Sequence, residues 1–332
     1  MVLEDAIKYC RLALKNVSRS FALTIPMVEE NILTPIVVGY LEARIIDSFE
    51  DENGEIQITQ YERMKNIDKV IGIITNPERH DLMERIEELR EVAKKLDTNP
   101  HYLDLISNID KVIAVHNTFD PNVKKAINKW FSEMVQGMKK FINVKIKTFD
   151  QLDEYCYYVG GTIGGFLTDL VLDGSKKAEN WQIATMNKTK FEFGKFLQKV
   201  NIIRDFREDM LRSKKSFWPE EVFEKRGIKQ KWALNPKYES EAVEALNEMI
   251  EKASYHIKPS IDYIEAVPFD YEGYRKAFAI NLQMGIETLR KLKDNPDVFY
   301  SNKPVKIDKL TKYRILTNPI NGLKKFKTMA IA

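Results

Sequence analysis

Helix breakers are sparse in this chain, with fourteen Gly and twelve Pro in 332 residues, and between them apolar side chains recur three and four residues apart. That spacing gathers them on one face of an α-helix, whereas the two-residue alternation of a half-buried strand never persists. Helical stretches are expected over about 3–24, 31–50, 58–75, 78–96, 100–115, 119–142, 148–173, 183–212, 237–257 and 271–293. Breaks fall at Pro77, Pro100, Pro121 and Pro296, each preceded by an Asn or Asp that starts a turn or a helix. No repeat of 20–50 residues and no low-complexity tract is present. The expectation is an all-α chain forming one domain over 1–332, with a basic segment of open structure over 303–332.

A content of 44% hydrophobic and 30% charged residues suits a soluble globular protein with a large core. The net charge of +3 gives no nucleic-acid footprint. Cys10 and Cys156 both lie in apolar helical patterns and are expected as reduced thiols rather than a disulfide. The start, MVLEDAIKYC, has no signal-peptide core, and no window holds eighteen uninterrupted apolar residues. A cytoplasmic protein is expected.

Two segments write the same acidic spacing. EARIIDSFEDE carries Asp47, Glu50 and Asp51, and FLQKVNIIRDFREDM carries Asp205, Glu208 and Asp209. On a helix each trio shares a face, and each stripe extends upstream, to Tyr40 and Arg44 on the first and to Gln198 and Asn201 on the second. Apolar residues flank both. A solvated charged face would explain either stripe alone, as would an i, i+4 pair such as Arg204 with Glu208. Two such stripes ask for cations. Mg²⁺ takes oxygen ligands and is usually held by one or two carboxylates plus ligand phosphates, so two facing stripes would hold a diphosphate through magnesium. No EF-hand spacing supports calcium, and the four histidines, His80, His101, His116 and His256, show no zinc-ligand spacing and are expected as ordinary surface or core residues.

Two further segments stand out. In VSRSFALTIP, Arg19 lies between Ser18 and Ser20 and is followed by Phe21, a set suited to phosphate oxygens or, equally, to helix capping. In YCYYVGGTIGGFLTDL, four glycines, Gly160, Gly161, Gly164 and Gly165, sit inside a helical pattern at roughly 1 kcal/mol each relative to Ala. Either a neighbouring helix packs very closely there, or the missing side chains leave room for a ligand.

Taken together, DSFED with Tyr40 and Arg44, YCYYVGG, FLQKVNIIRDFRED followed by FWPEEVF, AFAINLQMGIETL and NPDVFYSNKPVKIDK resemble the squalene/phytoene synthase family of head-to-head prenyl synthases. The resemblance runs from SRSFAL over most of the chain, and FLQKVNIIRD with Phe217-Trp218-Pro219 looks more like the squalene synthases than the phytoene or dehydrosqualene synthases. It implies an isoprenoid-synthase fold around a central cavity, Mg²⁺, and two molecules of farnesyl diphosphate joined through presqualene diphosphate to squalene, with NADPH as reductant. By the same resemblance Tyr155 matches a tyrosine of the first half-reaction and Tyr40 one at the diphosphate end. Arg19, Arg44 and Arg204 match phosphate-side arginines, and Lys306 matches a lysine assigned to the nicotinamide cofactor.

The pattern departs at Asp308, where the family's squalene synthases commonly have a cation. A membrane-anchoring apolar helix of the kind some members add is also missing from this sequence, and the segment Lys309 to Lys327 is expected either to rest on an anionic membrane surface or to be a plain solvated tail. The alternatives to a squalene synthase are a non-reductive dehydrosqualene- or phytoene-type synthase and a non-catalytic helical protein that binds isoprenoid diphosphates.

Overall fold

The computed structural model describes residues 2–18, 20–50, 59–96, 98–212 and 216–327. Every regular element among them is helical, as expected, and no strand occurs there. The chain divides into two compact units, one of residues 1–143 with 166–176 and one of residues 144–165 with 177–332.

The first unit contains α1 (Leu3–Val17), α2 (Phe21–Thr24), α3 (Glu30–Glu50), α4 (Gln60–Thr75), α5 (Leu82–Ala93), α6 (Pro100–Ser107), α7 (Ile109–His116) and α8 (Pro121–Phe141). Pro100 and Pro121 begin α6 and α8, where a missing N–H would have had no helical partner anyway. A capping box of Thr59 and Glu62 starts α4. The expected 100–115 helix is two, because Asn108 breaks it. At the centre lies α3, packed by α1, α4, α6, α7 and α8. Its apolar residues therefore run almost all round, including Val38, Leu41, Ile45, Ile46 and Phe49. From Tyr40 onward only Tyr40, Ala43, Arg44, Asp47 and Glu50 escape full burial, and these form one line along the helix.

The second unit begins with α9 (Phe149–Cys156) and a π-turn, Tyr157–Gly161, where the N–H of Thr162 bonds to the carbonyl of Tyr157. Next comes α10 (Thr162–Gly174), whose residues from Phe166 belong to the first unit. The remaining helices are α11 (Asn180–Thr189), α12 (Glu192–Arg204), α13 (Phe206–Arg212), α14 (Glu220–Glu224), α15 (Glu239–Ser254), α16 (Ile257–Ala266), α17 (Glu272–Leu292), α18 (Asp297–Tyr300), α19 (Lys309–Thr317) and α20 (Pro319–Lys324). The expected 183–212 helix is thus broken near residue 190 and at Asp205. In this unit α12 is the central helix, packed against α9, the π-turn, α15, α16 and α17.

The glycine question is answered by contact. A Cβ on Gly160 would stand 2.5 Å from the carbonyl oxygen of Gly194, and one on Gly164 would overlap the carbonyl oxygen of Lys190. The π-turn and the start of α10 therefore touch α12 and the residues before it backbone to backbone, and at these positions the glycines serve close packing, not ligand volume.

The described part of the C-terminal basic segment contains two helices. α19 and α20 pack on α17, and Gln283 on α17 donates to the carbonyl of Pro319 at 2.7 Å. Asp308, the departure from the family pattern, is the N-cap of α19: its carboxylate accepts from the Thr311 N–H at 2.8 Å and hydroxyl at 2.9 Å. Both cysteines are buried and unpaired, and burial pushes each thiol up to about 12. No helix among the described residues is long and apolar enough to cross a membrane.

Candidate active site

In the first unit the half-buried line of α3 forms a compact set. Arg44 lies over the rings of Tyr40, at 5.9 Å, and of Tyr102 on α6, at 5.3 Å, and reaches Asp47 at 3.5 Å. Phe21 packs on Tyr40 with ring centroids 5.7 Å apart. Burial works against the Arg44 charge, but Asp47 and the two tyrosines outweigh it and hold the guanidinium firmly protonated. Its Nε is buried without a hydrogen-bond partner in the structure. A guanidinium gripped by rings and still carrying an unused donor is suited to an oxyanion. The sequence gives Tyr40, Arg44 and Asp47 by spacing, but Tyr102 carries no local signal.

Ser18 takes the capping alternative: its Oγ accepts from the Phe21 N–H at 3.1 Å, while Ser20 is exposed. Arg19 and Asp51, both singled out from the sequence, lie outside the described residues. Glu50 closes the line at the end of α3.

In the second unit Gln198 and Asn201 lie on α12, Asp205 at its end, and Glu208 and Asp209 in the first turn of α13. The helical register survives the break, since Asp205 N–H bonds to Asn201 O at 2.9 Å and Asp209 N–H to Asp205 O at 3.0 Å. Arg204 grips Asp205 with two parallel hydrogen bonds, at 2.7 and 2.5 Å, in place of the Glu208 pairing the spacing suggested. Burial disfavours the Arg204 charge, yet the carboxylates of Asp205, Glu208 and Asp209 raise its pKa.

The FWPEEVF segment explains the break. Trp218 is fully buried among Phe206, Phe223 and Phe299, and its indole N–H donates to the Ile202 carbonyl at 3.0 Å. That carbonyl lies four residues before Phe206, where α13 starts. Phe217 stacks on Tyr155 at 4.5 Å, so the same segment fixes the tyrosine of α9. A cleft of about 390 Å³ opens beside this second stripe, between α13 and residues 297–305, with Arg204, Glu208, Arg212 and Lys303 in its lining. Arg207, unnoticed in the sequence, ties that loop down through Asn302 Oδ1 at 2.8 Å. Lys306 follows on exposed chain before α19.

The fit to magnesium can be judged from the donors. The described acids on both stripes offer carboxylate oxygens, and among the described residues no three Asp, Glu, His or Cys side chains converge as a metal cage. Few protein ligands, all hard oxygens, suit an ion shared with phosphate. Two of the histidines are core residues, as expected, each with polar partners: His116 Nδ1 meets Glu42 at 2.7 Å, and His256 bridges Glu192 at 2.6 Å and Lys199 at 2.7 Å.

The family model for squalene/phytoene synthase matches residues 14–311. The chain belongs to the squalene/phytoene synthase family. A squalene synthase of Botryococcus braunii is 29% identical over 299 residues, covering 89% of this chain and 60% of its own length. A presqualene diphosphate synthase of the same organism is 29% identical over 308 residues, covering 88% of this chain and 67% of its own. The solved complex of TcSQS with a ligand superposes with a TM-score of 0.84 at 25% identity, covering 97% of this chain and 90% of that one. This member of the family thus has its all-helical fold, while spanning 60–67% of the length of those two relatives.

Proposed function

We propose that the chain is a magnesium-dependent synthase that joins two farnesyl diphosphates head to head through presqualene diphosphate and reduces the product to squalene with NADPH. The observation that carries this reading is one construction made on two helices: a polar stripe along an otherwise largely buried helix, with an arginine set against a carboxylate, Arg44 with Asp47 and Arg204 with Asp205. The family membership and the named relatives support the same reading.

In this mechanism Arg44 and Arg204 bind diphosphate oxygens, and the rings of Tyr40 and Tyr102 keep Arg44 in place as they do. Magnesium shared with the diphosphate, taking one or two carboxylates from among Asp47, Glu50 and Asp51 and one or two from among Asp205, Glu208 and Asp209, would neutralise the charge of the departing group. Gln198 and Asn201 add amide contacts along the second stripe. Loss of diphosphate leaves an allylic cation that must be kept from water, and the apolar flanks of both stripes serve that end. Tyr155, fixed against Phe217, can hold a hydrogen bond or face a cation with its ring.

NADPH would supply hydride for the reductive half, with Lys306 as a phosphate contact. Asp308 stays ionised there, its pKa lowered to about 2 chiefly by the Thr311 N–H, and that helix start together with Lys291 at 3.7 Å offsets part of its charge.

The test is incubation with farnesyl diphosphate and Mg²⁺, with and without NADPH. Squalene formed only with NADPH is expected. Presqualene diphosphate or dehydrosqualene alone would restrict the chain to the non-reductive reading, which the presqualene diphosphate synthase relative and the Asp308 departure favour. Mg²⁺-dependent binding with no diphosphate release would make it a binder. As to location, we infer peripheral contact with a membrane surface through the basic C-terminal segment.

A further inference from the structure

Apolar side chains stand on opposite faces of α19. Ile315 is 2% exposed and packs with Ile280 and Ile307, with Met284 against them. Leu310, Tyr313 and Leu316 are 78%, 66% and 41% exposed. At about 100° per residue, Tyr313 points roughly 160° away from Ile315, and Leu310 and Leu316 lie about 60° to either side of it. The helix thus buries one apolar residue and presents three others as a continuous outward stripe.

The stripe has a cationic rim. Lys309, Lys312 and Arg314 on α19 are exposed, as are Lys303 and Lys306 before it and Lys324, Lys325 and Lys327 after it. Between Lys303 and Lys327 there are eight basic residues and one acid, Asp308, a net +7, whereas the whole chain carries +3, so the remainder is −4. Some of these cations have partners: Arg314 and Lys325 face Glu287 at 3.6 and 3.3 Å, and Lys327 meets Glu265. On the same angular count Lys312 and Arg314 flank the apolar stripe, about 100° to either side of Tyr313, and Lys309 stands at its N-terminal end. Exposed leucines and a tyrosine inside a ring of lysines, on a segment whose charge opposes that of the rest of the chain, match a surface that is apolar beneath and anionic at its boundary.

We propose that the outward face of α19 is a docking surface for an anionic lipid bilayer. Leu310, Tyr313 and Leu316 enter the boundary between headgroups and acyl chains, and Lys309 and Lys312 lie among the lipid phosphates. This deepens the membrane contact inferred above by naming the helix and the lipid charge. It is independent of turnover, because the measurement that decides it is vesicle binding.

The experiment is co-sedimentation of the full chain with vesicles of phosphatidylcholine alone and of phosphatidylcholine mixed with phosphatidylglycerol. Binding to the mixed vesicles is expected, at least about tenfold weaker on the neutral ones, and lost at about 1 M salt, where the screening length falls to roughly 3 Å. Leu310→Ser with Tyr313→Ser and Leu316→Ser should abolish binding while circular dichroism and lipid-free diphosphate release stay unchanged. Lys309→Ala and Lys312→Ala should each weaken it about fivefold. No binding to mixed vesicles, binding that the triple variant retains, or equal binding to both vesicle types would overturn the proposal. So would a lipid-free dimer, seen in sedimentation velocity, that the triple variant dissolves, since the stripe would then join two copies of the chain.

Discussion

The central helix of each unit carries a polar stripe on one side and a buried ionic contact on another, but the two contacts are built differently. Behind Tyr40, Arg44 and Asp47, α3 holds Glu42, fully buried, with one oxygen 2.7 Å from His116 and the other without a hydrogen-bond partner. Beside Gln198, Asn201 and Asp205, α12 holds Lys199, 5% exposed, bonded to Asp153 at 2.8 Å and to His256, which continues to Glu192; Lys195 takes the other Asp153 oxygen at 2.6 Å. In this second network each charge meets an opposite or polar group, so the network fixes the rotation of α12 and with it the direction of the stripe. In the first unit burial runs ahead of pairing, and the rotation of α3 rests on its apolar packing. Specificity of orientation comes from completed pairing, and a half-paired charge supplies less of it.

The largest effect should come from the stripes themselves. On the proposed mechanism Asp205→Asn lowers diphosphate release from farnesyl diphosphate by about 100- to 1,000-fold, with an unchanged circular dichroism spectrum. Asp47→Asn should do the same to a similar degree. Full activity in either variant would show that its stripe is a solvated face and that the two helices are not equivalent.

Next in size is the buried network. Lys199→Met removes the cation between Asp153 and His256 and should destabilise the protein by about 3 kcal/mol, near the low end for a broken buried pair because Asp153 is 37% exposed and keeps Lys195. Urea denaturation measures it. A loss under about 1 kcal/mol would mean that apolar packing alone orients α12, as it does α3.

Glycines sharpen the same contrast at smaller scale. A Cβ on Gly194 of α12 would overlap the carbonyl of Gly160, a backbone atom that cannot yield, whereas one on Gly39 of α3 would meet the Phe166 ring edge at 2.7 Å, which can turn. Gly194→Ala should cost about 2–3 kcal/mol and Gly39→Ala about 1 kcal/mol in unfolding free energy. Equal costs would remove the distinction between a helix set by backbone contact and one set by side chains.

These features were legible in the sequence to different degrees, for reasons of range. Helix existence and the breaks at Pro100 and Pro121 follow from local rules, since proline lacks an N–H and fixes φ. The two stripes follow from helical periodicity. What failed were helix interruptions with tertiary causes: Asp205 ends α12 where Trp218 takes the Ile202 carbonyl from another part of the fold. Tyr102 beside Arg44, and Glu42 with His116, are separated by 58 and 74 residues along the chain, beyond any periodic signal. Asp308 as the N-cap of α19 is a local feature, of the kind that helix-capping preference makes legible.

The smallest effect tests the half-paired charge by its pH response. Burial raises the Glu42 pKa against the opposing pull of His116, so between the ordinary carboxyl value, about 4.3, and the raised one the folded state binds the extra proton. Stability from this group is therefore greatest at low pH and is lost as pH rises through that window. Glu192 has the opposite sign, its pKa lowered first by the His256 hydrogen bond, and Asp153 likewise, where His256 and the two lysines overcome burial. Their stabilisation is present above the ordinary carboxyl range and fades as pH falls toward the depressed values. Glu42→Gln keeps the shape and removes the anion, so at pH 7 it should equal or exceed the parent by up to about 1 kcal/mol, an advantage that vanishes on acidification toward pH 5. Urea midpoints taken across that range decide it: a variant clearly less stable at pH 7 would mean that the Glu42 carboxylate is fully satisfied, and the two ionic clusters would then be alike.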